Sequence, residues 1–223
     1  MNPVTELFEA LHTRAIDRFR ALLAADSSLA GARDPSGVSV LMTARYHQRF
    51  DMVEAVLERR GDDLDVFESA ALGKIDRLTR LLAQDPRSID AYSADGFTPL
   101  QLATFFAEPA TAKLLLQRGA NVELVSMNSM ALRAIHSAAA GGSAEIVDRL
   151  LLAGVDVNAG QHGGFTALHA AAGAGRVDMV RALITHGADK EARNDAGKSA
   201  RDLALDKGHA AVVKLLESAR KAH

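Results

Sequence analysis

Gly164-Phe165-Thr166-Ala167-Leu168-His169-Ala170-Ala171-Ala172, followed by Gly175 and Gly187-Ala188-Asp189, sets the period of this chain. His136 precedes His169 by 33 residues, Gly142 precedes Gly175 by 33 and Gly154 precedes Gly187 by 33. On the other side, Gly164, Gly175 and Leu183 return as Gly197, Gly208 and Leu216. A fixed period of this length means stacked supersecondary units, each burying its apolar face against its neighbours. Within the quoted unit, Thr166 is placed to cap a short helix whose Leu168, Ala171 and Ala172 share one side. Gly175 ends that helix by allowing a left-handed backbone, and Val177, Val180, Leu183 and Ile184 form the apolar face of a second helix, which Gly187 closes.

Composition fits this reading. The 223 residues are 48% hydrophobic but only 4% aromatic, so the apolar material is small and aliphatic and suits many thin helix interfaces. Twenty-six basic and 28 acidic side chains leave a formal net charge of -2, which provides no broad basic field for nucleic acid or an anionic membrane. With no cysteine, disulfides, thiol catalysis and Cys-based zinc sites are excluded. Met1-Asn2-Pro3-Val4-Thr5-Glu6-Leu7 has no signal-peptide pattern and no apolar run is long enough to span a bilayer, so a soluble, cytoplasmic protein is expected.

The first half carries a second regularity. Phe8-Glu9 returns as Phe67-Glu68, Ile16-Asp17-Arg18 as Ile75-Asp76-Arg77, Leu22-Leu23-Ala24 as Leu81-Leu82-Ala83, and Gly37 as Gly96, all at an offset of 59. A two-unit block is repeated. Its first members, Leu7 to Leu23 and Val66 to Leu82, lack the glycine and threonine-proline tip, so their hairpins are expected to be short or absent.

This pattern of polar tip, small-residue helix, glycine, second apolar helix and glycine resembles the ankyrin repeat. The resemblance covers nearly the whole chain and implies an all-α solenoid of stacked helix-turn-helix units with short hairpin-like tips. Seven units are placed near residues 4–34, 35–62, 63–92, 93–127, 128–160, 161–193 and 194–220, forming one domain whose first and last units act as caps. In the last unit Arg201 and Asp202 replace Leu168 and His169, which makes an outward face polar. The closing Arg220-Lys221 suits the negative end of a helix dipole.

Candidate chemistry is sparse. The resemblance gives His136 and His169 a structural role, hydrogen-bonding backbone and the threonine hydroxyl. No second ligand stands at metal spacing on either helix, and neither a Gly-x-Ser-x-Gly elbow nor a phosphate-cradling loop occurs. No catalytic residue, metal or cofactor is expected. In the resembled family, partners meet the tips and the last residues of the first helix, which line a concave groove. Carried over to this sequence, Tyr46, Phe97, Phe105, Phe106, Met130, Leu132 and Phe165 fall on that surface, in a chain with eight Phe, two Tyr and no Trp. Ala140, Gly141, Gly173 and Ala174 are expected to leave space for a bulky ligand. Between Gly119 and Gly154 the spacing is 35, with two extra residues inside 121–132, an apolar stretch expected to form a lid or contact loop over the groove or else to fold down onto the stack, the first being preferred. The resulting expectation is a non-enzymatic monomer that binds another protein or peptide on its concave face, and neither nucleic acid nor membrane. Self-association through the aromatic patch is the alternative.

Overall fold

The computed structural model describes residues 2–218, and among them the chain forms fourteen α-helices and no strand. The helices pair in chain order: α1 Pro3–His12 with α2 Ile16–Ala25, α3 Val40–Tyr46 with α4 Phe50–Arg60, and α5 Val66–Ala71 with α6 Ile75–Gln84. These are followed by α7 Pro99–Phe105 with α8 Pro109–Gln117, α9 Ala134–Gly141 with α10 Ala144–Leu152, α11 Ala167–Gly173 with α12 Val177–Thr185, and α13 Ala200–Asp206 with α14 Ala210–Ser218. Arg220-Lys221, assigned above to a helix end, lies outside the described residues.

Every pair turns in the same way. One residue takes a positive φ, and in six of the seven pairs the amide after it donates to the carbonyl five residues earlier, as in Ala15 to Ala10, Glu108 to Ala103 and Arg176 to Ala171; in the fifth pair the amide of Gly142 itself bonds Ala138 O. Gly73, Gly142, Gly175 and Gly208 fill that position where glycine is present, while Arg14, Gln48 and Ala107 hold it without glycine at φ 61°, 55° and 56°. Pro109 opens α8 at its first position, and the turn before it is held by Ala107. The glycines have a second use. A Cβ on Gly73, Gly142 or Gly175 would collide with Glu108, Arg176 or His209, the residue opening the second helix of the next unit. At Ala107 the matching residue is the short Ser143.

First helices begin at capped tips. Thr98 and Gln101, Thr166 and His169, and Ser199 and Asp202 form capping boxes, and Asp65 and Glu68 do so even though no hairpin precedes α5. Tip hairpins close between Asp34 and Val38, Ser93 and Phe97, Gln161 and Phe165, and Asn194 and Lys198. In the fifth unit the closure runs from Ser126 to Leu132, so the two extra residues enlarge the tip itself. This segment does not arch over the groove as a lid. Met127 donates to Gly96 O at 2.8 Å, Asn128 Nδ2 to Asp95 O at 3.0 Å, and Gln101 Nε2 reaches Leu124 O and Leu132 O, which fixes it to the preceding unit. Backbone bonds continue tip to tip from Met130 to His162 and from Gly163 to Asp195. Where the third unit lacks a hairpin, the second and fourth tips meet directly, Gly37 against Ala94.

The core is divided. Units one and two share a cluster that includes Leu7, Leu11, Phe19, Leu41, Met52 and Val56, and units three to seven share another running from Val66 to Leu216. Between them lies a polar seam: Glu68, fully buried, accepts from Arg60 at 2.8 Å twice and from Ser39 Oγ at 2.7 Å, while Arg33 pairs with Asp65 and Arg80 with Asp62. Burial opposes ionisation of Glu68, but the bonds from Arg60 and Ser39 outweigh it and hold the carboxyl below its usual range. A small third cluster, Met42, Ala71 and Leu102 with Tyr46, Phe67, Phe97 and Phe106 around it, bridges the seam on the tip side.

Two substitutions test this packing. Gly141 faces the end of α7, and a Cβ there would lie 2.5 Å from the carbonyl oxygens of Thr104 and Phe105. Gly141→Ala should destabilise the chain by about 1 to 3 kcal/mol in urea denaturation, because backbone on both sides must shift. Ala107→Gly should do the reverse. Relief of about 1 to 2 kcal/mol of left-handed strain exceeds the unfolded-chain entropy gained by glycine, leaving roughly 0.5 to 1 kcal/mol of stabilisation.

Candidate functional site

A cleft of ≈ 360 Å³ opens between the row of first-helix ends and the row of tips. Tyr46, Phe105 and Ala140 line it from the helix ends, Phe97, Met130, Leu132 and Gln161 from the tips, and Leu102, Gln101, His136 and Ala170 from the helices between. Sequence register explains the gathering. Tyr46, Phe105 and Ala140 occupy one position in the second, fourth and fifth units, where the third has Ala71, and Phe97 and Leu132 occupy another. The enlarged fifth tip places Met130 at the edge of the cleft, where it is 48% exposed, and Phe105 is 39% exposed.

The aromatic side chains form a connected edge. Tyr46 lies 5.2 Å from Phe106 and 6.2 Å from Phe105 between ring centroids, and Phe105 meets Phe106 edge-on at 5.1 Å. Consecutive helix residues point in different directions, so one phenylalanine of the pair faces the cleft and the other turns away. Phe106 is the one that turns away. It packs half-buried toward the seam under the Arg45 guanidinium, 4.6 Å from its ring centroid. Phe165 is also outside the cleft, set against His169 at 5.9 Å. The structure thus brings together five of the seven residues singled out from sequence, Tyr46, Phe97, Phe105, Met130 and Leu132. Gln101, His136 and Gln161 are additional lining residues that an aromatic search does not find; their positions in the repeat were the available signal. Gly141 gives its space to the backbone of α7 rather than to a ligand.

The polar groups of the cleft are largely committed. His136 Nδ1 accepts the Arg133 amide at 3.0 Å and Nε2 donates to Ala159 O at 2.8 Å. Gln101 Oε1 accepts from the Thr98 amide, while its nitrogen serves the two carbonyls already named. His169 repeats the arrangement, accepting at Nδ1 from the Thr166 amide and hydroxyl and donating from Nε2 to Lys198 O at 3.1 Å. At His136 the residue matching Thr166 is Arg133, so no hydroxyl takes part. Tyr46 donates its hydroxyl to Asp95 at 2.6 Å, and Asp95 also accepts from Ser93 Oγ at 2.5 Å. Burial and then the neighbouring Asp95 push the Tyr46 phenol well above its ordinary range. Arg45 is held by Ala71 O and by Glu108 at 3.3 Å. Burial raises the Glu108 carboxyl above its usual value despite that cation.

Among the described residues, no group of three or more His, Asp or Glu side chains is arranged to hold a metal ion. His12 and His47, exposed at neighbouring helix ends, meet edge-on with 5.4 Å between ring centroids. No described helix is long and apolar enough to cross a membrane.

The repeating tips, helix pairs and turns are matched by known protein families. A model described as ankyrin repeats, in three copies, matches residues 135–222, and a single ankyrin-repeat model matches residues 95–126, together more than half of the chain. The chain belongs to the ankyrin-repeat family. Ankyrin repeats are generally protein–protein interaction modules and typically carry no catalytic activity. Among individual relatives, an ankyrin repeat domain-containing protein, SAT10, of Stachybotrys chartarum is 36% identical over 94 residues, 42% of this chain and 5% of the relative. A probable E3 ubiquitin-protein ligase, XBOS31, of Oryza sativa subsp. japonica is 35% identical over 102 residues, 44% of this chain and 22% of the relative. The chain spans only a small part of either protein.

The two ankyrin histidines carry a pH signature. Burial holds both imidazoles below the ordinary value of 6.5, and each is bonded as the neutral Nε2–H form. The unfolded chain therefore binds protons that the folded chain refuses. Their contribution is fully present above about pH 6.5 and is lost as the pH falls toward their folded pKa values. Urea midpoints measured from about pH 7.5 down to about pH 5.5 should drop, and the drop should shrink in the His136→Gln, His169→Gln variant. Gln101 shows that a carboxamide at this position makes both bonds without titrating.

Proposed function

We propose that this ankyrin-repeat chain is a non-enzymatic, cytoplasmic, monomeric binding module whose partner is another protein, docked in the cleft between Tyr46, Phe97, Phe105, Met130 and Leu132. The observation that carries this reading is the concentration of scarce aromatic and thioether side chains, partly exposed, around one cleft in an otherwise alanine- and leucine-rich stack. Exposed apolar groups gathered around a recess gain the hydrophobic term when a partner covers them. A cysteine-free chain suits a reducing compartment. We also read the three helix pairs before residue 95 as ankyrin units that have lost parts of the pattern, since they keep the same inter-helix turn and capped first helices.

Phe105→Ala is the direct test. Phe105 is partly exposed, whereas Phe106 supports the seam, so only the former can be truncated without disturbing the stack. In pull-downs from cells that express the chain, Phe105→Ala should lose the captured protein by about tenfold or more, while Leu152→Ala, which changes the 81% exposed Leu152 on α10, should retain it. Equal capture by both variants would remove the cleft from the binding surface.

A further inference from the structure

Resting on the docking role just proposed, we infer that the cleft selects a protein segment carrying a bulky, uncharged apolar side chain with a lysine or arginine within about two residues of it, the cation seated at Asp95. Three observations combine. First, no side chain lining the cleft carries a charge, since His136 is bonded as the neutral form. Second, the lining offers a visitor little polar recognition: Gln101, His136 and the Tyr46 hydroxyl are already bonded within the chain, leaving the Gln161 carboxamide as the lining side chain with no partner among the described residues. A charged or strongly polar anchor entering this space would lose its hydration without replacement. At ≈ 360 Å³ the cleft is near the lower end of ligand sites, which span about 300 to 1,000 Å³, and so fits a compact anchor rather than a long apolar stretch.

Third, a single carboxylate stands at the edge. Asp95 is half-buried, its two oxygens accept from Tyr46 and Ser93, and no lysine, arginine or histidine among the described residues pairs with it. The nearby cations are committed elsewhere, Arg45 to Glu108, Ala71 O and the Phe106 ring, and Arg33, which lines a small recess together with Asp95, to Asp65 and Gly37 O. The Tyr46 hydroxyl, 2.6 Å from Asp95, belongs to a ring that lines the cleft, so the negative charge and the apolar recess are one side chain apart. An extended chain advances about 3.3 to 3.6 Å per residue, which places a basic neighbour of the anchor within reach of that carboxylate. A basic residue on the partner compensates this charge and an acidic one is repelled by it.

The test uses random peptides displayed on phage, selected on the immobilised full chain, followed by titration of the enriched sequence as a fluorescein-labelled synthetic peptide. The selected peptides should share a bulky apolar residue close to Lys or Arg. Phe105→Ala should weaken binding about tenfold or more. Replacing the basic residue of the peptide with glutamine should cost about fivefold against the unaltered chain and nothing against Asp95→Asn, a difference that a purely structural role for Asp95 would not produce. Asp95→Asn keeps an acceptor for Tyr46, and an unchanged melting temperature verifies its fold. Peptides that depend on Phe105 but lack a basic residue, or that lose equally with Asp95→Asn whether or not they carry one, overturn the charge assignment and leave the docking role standing. A library yielding no peptide sensitive to Phe105→Ala overturns both. Sedimentation showing a dimer that Phe105→Ala dissociates assigns the cleft to a second copy of the chain and overturns the inference as well.

Discussion

In the fourth, fifth and sixth units the first helix must satisfy its own opening amides and also hold the unit that follows, and one side chain, three residues past the cap, does both. At Gln101, His136 and His169 an acceptor atom takes the cap amide while a nitrogen donates forward to a carbonyl of the next tip. The bonds are buried, so leaving any partner unmatched costs more than the bond itself contributes. Asp202, in the seventh unit, keeps the backward bond to the Ser199 amide and also accepts from Arg193. Glu68, at the same position of the third unit, bonds differently. A carboxylate has no hydrogen to send forward, so Glu68 accepts from Ser39 and Arg60 behind it, and the seam between the two core clusters lies in this region.

The cleft arises from irregularity imposed on that regular scaffold. Because the third unit lacks a hairpin, its neighbours' tips close over it and bring Tyr46 of the second unit against Phe105 and Phe106 of the fourth. Because the fifth tip is two residues longer, Met130 and Leu132 project where Phe165 in the sixth unit instead lies against His169. The 59-residue offset is itself seven residues short of two full periods, which matches one missing tip per block.

What the sequence makes readable follows from how local each constraint is. Helix pairs, capped tips and the glycine turn at Gly175 are local consequences of residue type, and they stand where the period puts them. The direction of Phe106 and Phe165 is decided by which neighbour offers a surface, Arg45 in one case and His169 in the other, and neither is local in sequence. Gly141 was ambiguous for the same reason. Absence of a side chain can admit a ligand or another backbone, and only the approach of Thr104 and Phe105 distinguishes the two. The apolar 121–132 segment reads by composition as a lid or contact loop, yet its amides and carbonyls are bonded to the fourth unit, information that sits in Gly96, Asp95 and Gln101.

The seam at Glu68 has a mechanical meaning. Bending a solenoid at a continuous apolar interface requires pulling interlocked side chains apart, whereas ion pairs such as Arg33 with Asp65 and Arg80 with Asp62 tolerate a change of angle at small cost. At the same place the buried Glu68, bonded to Arg60 and Ser39, cannot lose a partner cheaply, and Tyr46 stands on one side of this joint while Phe97 and Phe105 stand on the other. The cleft is thus assembled across the joint, from side chains of both parts of the stack, and its shape is inherited from the way those two parts meet.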